Sequence, residues 1–278
     1  MRISVIVTTY NWPEALSVSL DSLVHQESRD FEVIVADDGS TDDTQKLVEH
    51  VAESSSVRIR HVWHPDQGFR TSAIRNKAIV EAEGEYIVLI DGDCFVLPDF
   101  VSNHMDLAEK RFFVSGKRSF LRLRLTERVL ERQLRFAPRS RFGWFLRGMS
   151  NQCTRPLQFL DLPIDNTRYR QRDKWEKVQT CNLGFFKTDA IAINGFDERY
   201  QGHGLEDSDF VVRLLRAGVA RKLGDYSSIV MHLYHPRRTG SASNRSLFNE
   251  VLHGSTIRAE IGLAELACDA TGRQSPAG

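Results

Sequence analysis

The chain has 278 residues, of which 41% are apolar, and its 37 basic side chains balance 37 acidic ones. That supplies the core of one large α/β domain, with or without a small addition, and excludes general disorder and a general nucleic-acid binder. No run approaches the roughly 20 apolar residues of a membrane span, no secretory leader precedes the first apolar run, and four scattered cysteines (Cys94, Cys153, Cys181, Cys268) read as reduced thiols of a cytoplasmic protein.

In chain order, residues 3–8 (Ile-Ser-Val-Ile-Val-Thr) predict a buried strand that ends in Thr9-Tyr10-Asn11. Pro13 opens a helix with a stripe of Leu16, Leu20, Leu23 and Val24. Residues 31–36 form a second strand, ending in Asp37-Asp38-Gly39-Ser40, and a turn with several cap candidates leads to a helix through Leu47, Val48 and Val51. Residues 57–64 alternate as a third strand. Residues 71–82 are helical, with Arg70, Arg75, Asn76 and Lys77 at or near the start. Residues 86–90 are a short apolar run entered from a Gly-Glu turn, hence a buried strand, which ends in Asp91-Gly92-Asp93. This β-α-β-α-β-α-β order with short links predicts a mostly parallel sheet with right-handed crossovers.

Ligands of open α/β sheets bind beyond the carboxyl ends of the strands. Asp91 and Asp93, two apart on an extended chain, face the same way. Two carboxylates that close suit a hard divalent cation carrying phosphate oxygens; the plain alternative is an Asp-Gly turn. Three polar strand ends on one edge suggest a single site. Neither Gly-x-Gly-x-x-Gly nor a P-loop is present, so a bound nucleotide would rely on carboxylates, a metal and the Arg70/Arg75 pair.

Residues 112–117 predict a further strand. From Arg118 the pattern is a basic helix, with Leu121, Leu125, Val129, Leu130 and Leu134 on one side and Arg118, Arg122, Arg128, Arg132 and Arg135 around the rest, ended by Pro138. Phe142, Trp144 and Phe145 follow. The stretch reads either as an element for an anionic ligand or membrane surface, or as a solvated helix face. Residues 180–187 read as a strand, and Gly202-His203-Gly204-Leu205-Glu206-Asp207-Ser208-Asp209 leads into a helix over 211–217. Acidic residues suit the positive end of a helix, while the glycines let backbone approach a ligand. Residues 230–236 read as a strand ending in a histidine. His232 and His235, three apart, would point to different faces of it and not share an ion, which leaves His232 as a packed histidine. Arg237-Arg238 begin a loop suited to closing over a diphosphate. A last helix falls within 247–267, before a frayed tail at 269–278.

The segments Ser4-Val5-Ile6-Val7-Thr8-Thr9-Tyr10-Asn11, Val33-Ile34-Val35-Ala36-Asp37-Asp38-Gly39-Ser40 and Asp91-Gly92-Asp93 resemble the nucleotide-sugar-binding half of inverting GT-A glycosyltransferases of family 2. Residues 68–79 are similar to the chondroitin and hyaluronan polymerase branch, and residues 202–210 to the galactosyltransferase-like C-terminal half. The family usually has an aromatic residue before the glycines, where this chain has His203 between them.

The resemblance implies an α/β GT-A fold in four stretches: 1–110 for the nucleotide-sugar, 111–175 as a basic helical insertion meeting membrane or acceptor, 176–268 for acceptor and catalytic base, and 269–278 as a tail. It implies that Thr9, Tyr10 and Asn11 border the uracil, that Asp38 bonds the base with Asp37 nearby, and that Arg75 with Arg70 contacts the donor. Asp91 and Gly92 would lie by the ribose or metal. Asp93 and His235 would bind Mn2+ or Mg2+, Asp207 would be the base supported by Glu206, and His203, Gly204 and Asn182 would meet the acceptor. The implied reaction moves a sugar from a UDP-sugar to a hydroxyl of a surface glycan or glycolipid, such as a lipopolysaccharide core or capsule, in the cytoplasm or at the inner face of the membrane; read from its own basic and aromatic residues, the part that the resemblance covers least, 118–147 is the candidate contact with an anionic membrane. A nucleotidyl- or phosphotransferase, or a catalytically silent nucleotide- or glycan-binding protein, is the alternative.

Overall fold

The structure, a computed structural model, describes residues 1–131, 140–162, 164–236 and 240–266. Arg132, Leu134, Arg135, Pro138, Arg237, Arg238, Cys268 and the 269–278 tail lie outside the described residues.

Seven strands form one sheet in the order β3-β2-β1-β4-β8-β6-β9. Strands β1 (Ile3–Thr9), β2 (Phe31–Asp37), β3 (Arg58–Trp63) and β4 (Tyr86–Asp91) alternate in sequence with helices α1 (Pro13–Val24), α2 (Asp42–Ser54) and α3 (Thr71–Glu81) and run parallel. A second, three-stranded sheet begins with β5 (Cys94–Val96), and α4 (Phe100–Leu107) leads back to the main sheet at β6 (Phe112–Ser115).

The two-residue period of the strands divides their side chains between two layers. Val5, Val7, Val33, Val35, Val88 and Ile90 pack with Leu16, Leu20 and Leu23 of α1. Ile6, Ile34, Ile87 and Leu89 pack with Ile74, Ala78 and Ile79 of α3. All of these strand side chains are at most 1% exposed, and each contributes on the order of 1.5–3 kcal/mol by leaving water. This is why β1, β2 and β4 read as unbroken apolar runs: both faces of the sheet are covered.

Past β6 the chain departs from the expected pattern. The anticipated strand over 112–117 breaks at Gly116, where any Cβ would collide with the Asn182 amide. Residues Lys117–Phe120 then form β7 in the second sheet, so Arg118 lies on a strand and not on a helix. The helix starts later, as α5 (Leu123–Leu130), and buries Leu125 and Val129 as the stripe predicts. After α6 (Arg141–Met149), a 3-10 turn at Thr180–Asn182 takes the place of the expected start of a strand, leaving β8 as Leu183–Phe186, antiparallel to both β4 and β6. Because β6 sits between β8 and β9 (Ala220–Leu223), the stretch beginning at residue 111 starts inside the main sheet.

Helix α7 (Lys187–Ala192) follows β8, and α8 (Glu206–Arg216) starts five residues before the expected helix. Strand β10 (Ile229–His232) ends at its first histidine. It lies between β5 and β7, so the second sheet reads β5-β10-β7. Helix α9 (Ala242–His253) stops at Gly254 and covers the first part of the predicted span, and residues 263–266, near its far end, are helical again. No described helix is long and apolar enough to cross a membrane.

Candidate active site

The register of the parallel strands brings the polar ends together: Thr9 pairs with Asp37, and Thr8 with Asp91. Strand β4 stops because the Gly92 N–H turns back to donate to Thr8 O at 2.7 Å. A Cβ at Gly92 would sit 3.0 Å from Thr9, so a side chain there would press Thr9 aside by a few tenths of an ångström. Asp93 is thereby handed from the main sheet to the second one. Beyond these ends opens a cleft of about 1190 Å³, lined by Thr8, Thr9, Tyr10, Asp38, Phe69, Arg75, Asp91, Gly92 and Asp93, and by Arg118, Arg122, His203, Gly204, Glu206, Asp207, His232 and His235.

Not every predicted donor residue faces that space. Asp37 is fully buried and supports the turn, accepting from Ser40 N at 2.8 Å and meeting His61 Nε2 at 2.9 Å. Asn11 closes the same loop, its Oδ1 accepting from Thr41 N at 3.0 Å. Arg70 contributes its backbone N–H to Asp38 Oδ2 (2.9 Å), while its guanidinium bonds Gln67. Asp38 lines the cleft with its second oxygen 2.7 Å from His64 Nε2. Tyr10, 39% exposed, donates to Asp66 at 2.9 Å, and that bond to a carboxylate raises the phenol's pKa. Gly39 (φ +94°) lets the turn pass Asp66, whose Cα would lie 2.5 Å from any Cβ there.

Arg75, 4% exposed, joins the two halves of the site. Its Nε donates to Thr8 Oγ1 at 3.2 Å, one terminal nitrogen lies 3.5 Å from Asp91 and the other 3.3 Å from Glu206. The guanidinium also lies over the Phe196 ring at 5.5 Å.

Ligand atoms of Asp91, Asp93, Cys94 and His232 lie within 4.8 Å of one another. His232 and His235 do not diverge as alternation along one strand predicts, because the strand ends at His232. β10 stops there, in register with Cys94 and Phe120, and the following residues bring His235 back to the same carboxylate. Nε2 of His232 is 3.6 Å and Nε2 of His235 3.3 Å from Asp93, with ring centroids 5.1 Å apart. His232 is also packed, as expected: it is 4% exposed and its centroid is 5.0 Å from that of Phe120. Cys94, whose one signal in the sequence is its place beside Asp93, joins the group; its thiol, pushed well up by burial, donates to Asp93 at 3.7 Å. Burial pushes the Asp93 carboxyl up, Asp91 adds to this, and the two imidazoles act against it. A cluster of carboxylates and imidazoles of this kind fits a divalent cation.

Helix α8 supplies the acids of the other wall. Gly202 (φ +83°), Gly204 (φ +102°) and Leu205 (φ +76°) carry the chain into its first turn. A leucine in the left-handed region costs about 1–2 kcal/mol, held by the surrounding structure. Asp209 and Arg213, each 1% exposed or less by side chain, form an ion pair at 2.6 Å. Arg213 also donates to Ile193 O and Gly195 O, both at 2.8 Å, and so clamps α8 to that turn. Asp209 is therefore structural, which leaves Glu206 and Asp207 facing the cleft. Asp207 accepts from Ser208 N at 2.7 Å. Half-buried beside Glu206, its carboxyl is pushed up to about 7, first by burial and then by the Glu206 charge, with Arg75 opposing.

On the expected acceptor side, Gly204 lines the cleft and His203 stands edge-on to Phe69, centroids 5.8 Å apart. Asn182 does not face the cleft. Its amide nitrogen donates to Lys117 O and Ser228 O, both at 3.0 Å, and its oxygen meets His104 at 3.2 Å, so it bolts the second sheet to the first. The basic segment divides: Arg141 is spent on Asp99 and two carbonyls, whereas Arg118 and Arg122 line the cleft. On α6, Phe142, Leu146 and Met149 are 64%, 50% and 63% exposed.

The fold is that of GT-A glycosyltransferases. It is shared with a mannosyltransferase from Pyrobaculum calidifontis solved with GDP-Man and Mn2+ (TM-score 0.60, 18% identity, 99% of this chain and 76% of that one). It is shared equally with S. aureus TarS solved with UDP (TM-score 0.60, 16% identity, 95% and 68%). The model of glycosyl transferase family 2 matches residues 4–178, and one described as the N-terminal domain of galactosyltransferase matches residues 162–236. The chain belongs to glycosyl transferase family 2. It is 25% identical over 237 residues to chondroitin synthase of Escherichia coli, covering 78% of this chain and 32% of that protein. It is 26% identical over 286 residues to validoxylamine A glucosyltransferase of Streptomyces hygroscopicus subsp. jinggangensis, covering 99% of this chain and 61% of the relative.

Proposed function

We propose that the protein transfers a sugar from a UDP-sugar to a hydroxyl of a surface glycan or glycolipid, with inversion at the anomeric carbon and dependence on a divalent cation. The observation that carries this reading is the Arg75 bridge. It holds Asp91, at the strand ends, and Glu206, beside Asp207, on one guanidinium, so donor-side and acceptor-side carboxylates share a cleft.

Thr9, Tyr10 and Asp38 border the nucleotide, with Asp37, Asn11 and Arg70 shaping the loop beneath it. Asp93 with His235, joined by Asp91 and His232, would hold Mn2+ or Mg2+, which when bound supplies positive charge to the leaving diphosphate. Asp207 accepts the proton of the acceptor hydroxyl as that oxygen attacks the anomeric carbon. The bond to the diphosphate oxygen breaks on the opposite face, its electron pair leaves with UDP, and the anomeric centre inverts. A carboxyl near pKa 7 is poised for that task, because about half of it is ionised at neutral pH and it is basic enough to hold the proton. The exposed apolar residues of α6, in a segment otherwise rich in arginine, support contact with an anionic membrane that carries the acceptor.

The test is calorimetry and turnover on Asp207→Asn. It should bind UDP with Mn2+ as the wild type does while transfer collapses, and surviving transfer would remove Asp207 from the role of base.

A further inference from the structure

Arg118 and Arg122 line the cleft with no carboxylate partner among the described residues. Arg118 and Arg122 enter it from β7 and the turn after it, on the second sheet, whereas Thr9, Asp38 and Asp91 enter from the main sheet. The Arg118 guanidinium lies 4.5 Å over the Phe120 ring and 3.7 Å from the Cys181 thiol, and Arg122 bonds the Asn151 side chain at 3.0 Å. Arg75, Arg141, Arg168 and Arg213 are paired with carboxylates, and the buried Arg221, which has none among the described residues, is held by Lys174 O, Glu176 O and Ser115 Oγ and does not line the cleft. Arg118 is half-buried, so leaving it unpaired carries a cost that a bound anion would remove. Its position is fixed by the metal group's own strand, since Phe120 pairs with His232 in the sheet and packs against its ring at 5.0 Å.

We propose that Arg118 and Arg122 seat an oxyanion of the acceptor, so that the hydroxyl presented to Asp207 belongs to a charged and not a neutral glycan. Guanidinium groups match the paired oxygens of phosphate and carboxylate. The assignment rests on the transferase reading above, which puts the donor diphosphate at Asp91, Asp93 and Arg75 and leaves the second-sheet wall to the acceptor.

The full chain, saturated with UDP and Mg2+, is titrated by calorimetry with inorganic phosphate and, separately, with glucuronate. One of them should bind with the nucleotide in place. The R118Q/R122Q double variant should weaken that binding by roughly tenfold or more, the scale of a lost charged hydrogen bond, with UDP affinity unchanged. R124Q, exposed on α5 and outside the cleft lining, is the control and should change nothing. Preference for phosphate identifies a phosphorylated acceptor, and preference for glucuronate a uronic acid. The proposal is overturned if neither anion binds the UDP-loaded protein, if the double variant loses UDP along with the anion, or if R124Q has the same effect. R122Q alone, at an exposed position, keeps the test open should the double variant fail to fold. If UDP itself does not bind the wild type, the transferase reading fails, and the same titrations without nucleotide still decide whether the arginines hold an anion.

Discussion

Replacing Asp207 by asparagine should cost the protein its turnover and raise its stability, and the second effect depends on pH in a way that isolates the cause. The carboxyl ionises near 3.8 when free and near 7 in the fold. The folded state therefore holds the proton more tightly than the unfolded one. Stability from this group is fully present below about pH 4 and is lost as pH rises to about 7. Each pH unit of that interval is worth about 1.4 kcal/mol, giving a ceiling of about 4 kcal/mol. Because the side chain is only half-buried, solvent screening reduces this to about 2 kcal/mol. Asparagine has the shape of the protonated acid and none of the charge, so D207N should nearly match the wild type at pH 4.5 and exceed it by about 3–4 °C in Tm at pH 8. Thermal melts of both proteins at pH 4.5, 6 and 8, without metal or nucleotide, read the difference directly. Turnover should fall by on the order of 10²–10⁴, the value of a positioned base, and wild-type kcat/KM should drop tenfold per unit below about pH 7. A stability difference that stays flat with pH would refute the placement of a strained carboxylate at this position, whatever happens to the rate.

Asp93→Ala should abolish Mn2+-dependent UDP binding, and unchanged binding by calorimetry would reject the metal assignment. His232→Ala should weaken Mn2+ by at least about tenfold; equal affinity would return His232 to a packing role. Arg213→Met leaves Asp209 buried and unpaired and should cost roughly 3–5 kcal/mol in denaturant melts; a loss below about 1 kcal/mol would mean that the clamp on α8 is carried by other contacts. Asn182→Ala should lower stability by about 2–4 kcal/mol through three lost hydrogen bonds, while the folded fraction keeps its acceptor KM, and a raised KM at full stability would restore the acceptor role. Serine at Phe142, Leu146 and Met149 together should reduce sedimentation with anionic vesicles with little change in Tm, and undiminished sedimentation would remove α6 from membrane contact.

The strand-end side of the cleft was legible because its signals are local. A β-branched run covered on both faces needs no distant partner to be recognised, and the polar cluster at its end falls at the sheet edge by topology alone. The second sheet offers no such signal. β5 has three residues and β7 and β10 have four each, too short for a period to show. They are strands because backbone groups more than a hundred residues apart pair, as Phe120 does with His232 and His232 with Cys94. That pairing turned a predicted basic helix into a strand at Arg118 and brought two histidines to one carboxylate. Asp37 and Asn182 show the same limit for single residues. A polar side chain at a strand end looks alike whether it faces a ligand or a carbonyl. For Asn182 the choice was made by Lys117 and Ser228, far from it in sequence.

The Arg75 bridge has an evolutionary consequence. Removing Asp91 or Glu206 alone leaves a nearly buried guanidinium with one carboxylate in place of two, and removing both would leave it a buried charge without a carboxylate. Positions 75, 91 and 206 should therefore be inherited as a unit among related chains, changing together or not at all, although they lie in segments that match separate family models. Arg118, Arg122 and His203 carry no such shared debt. Divergence among relatives should accumulate along that wall, so that the partner sugar can be exchanged while the joint between the two halves stays as it is.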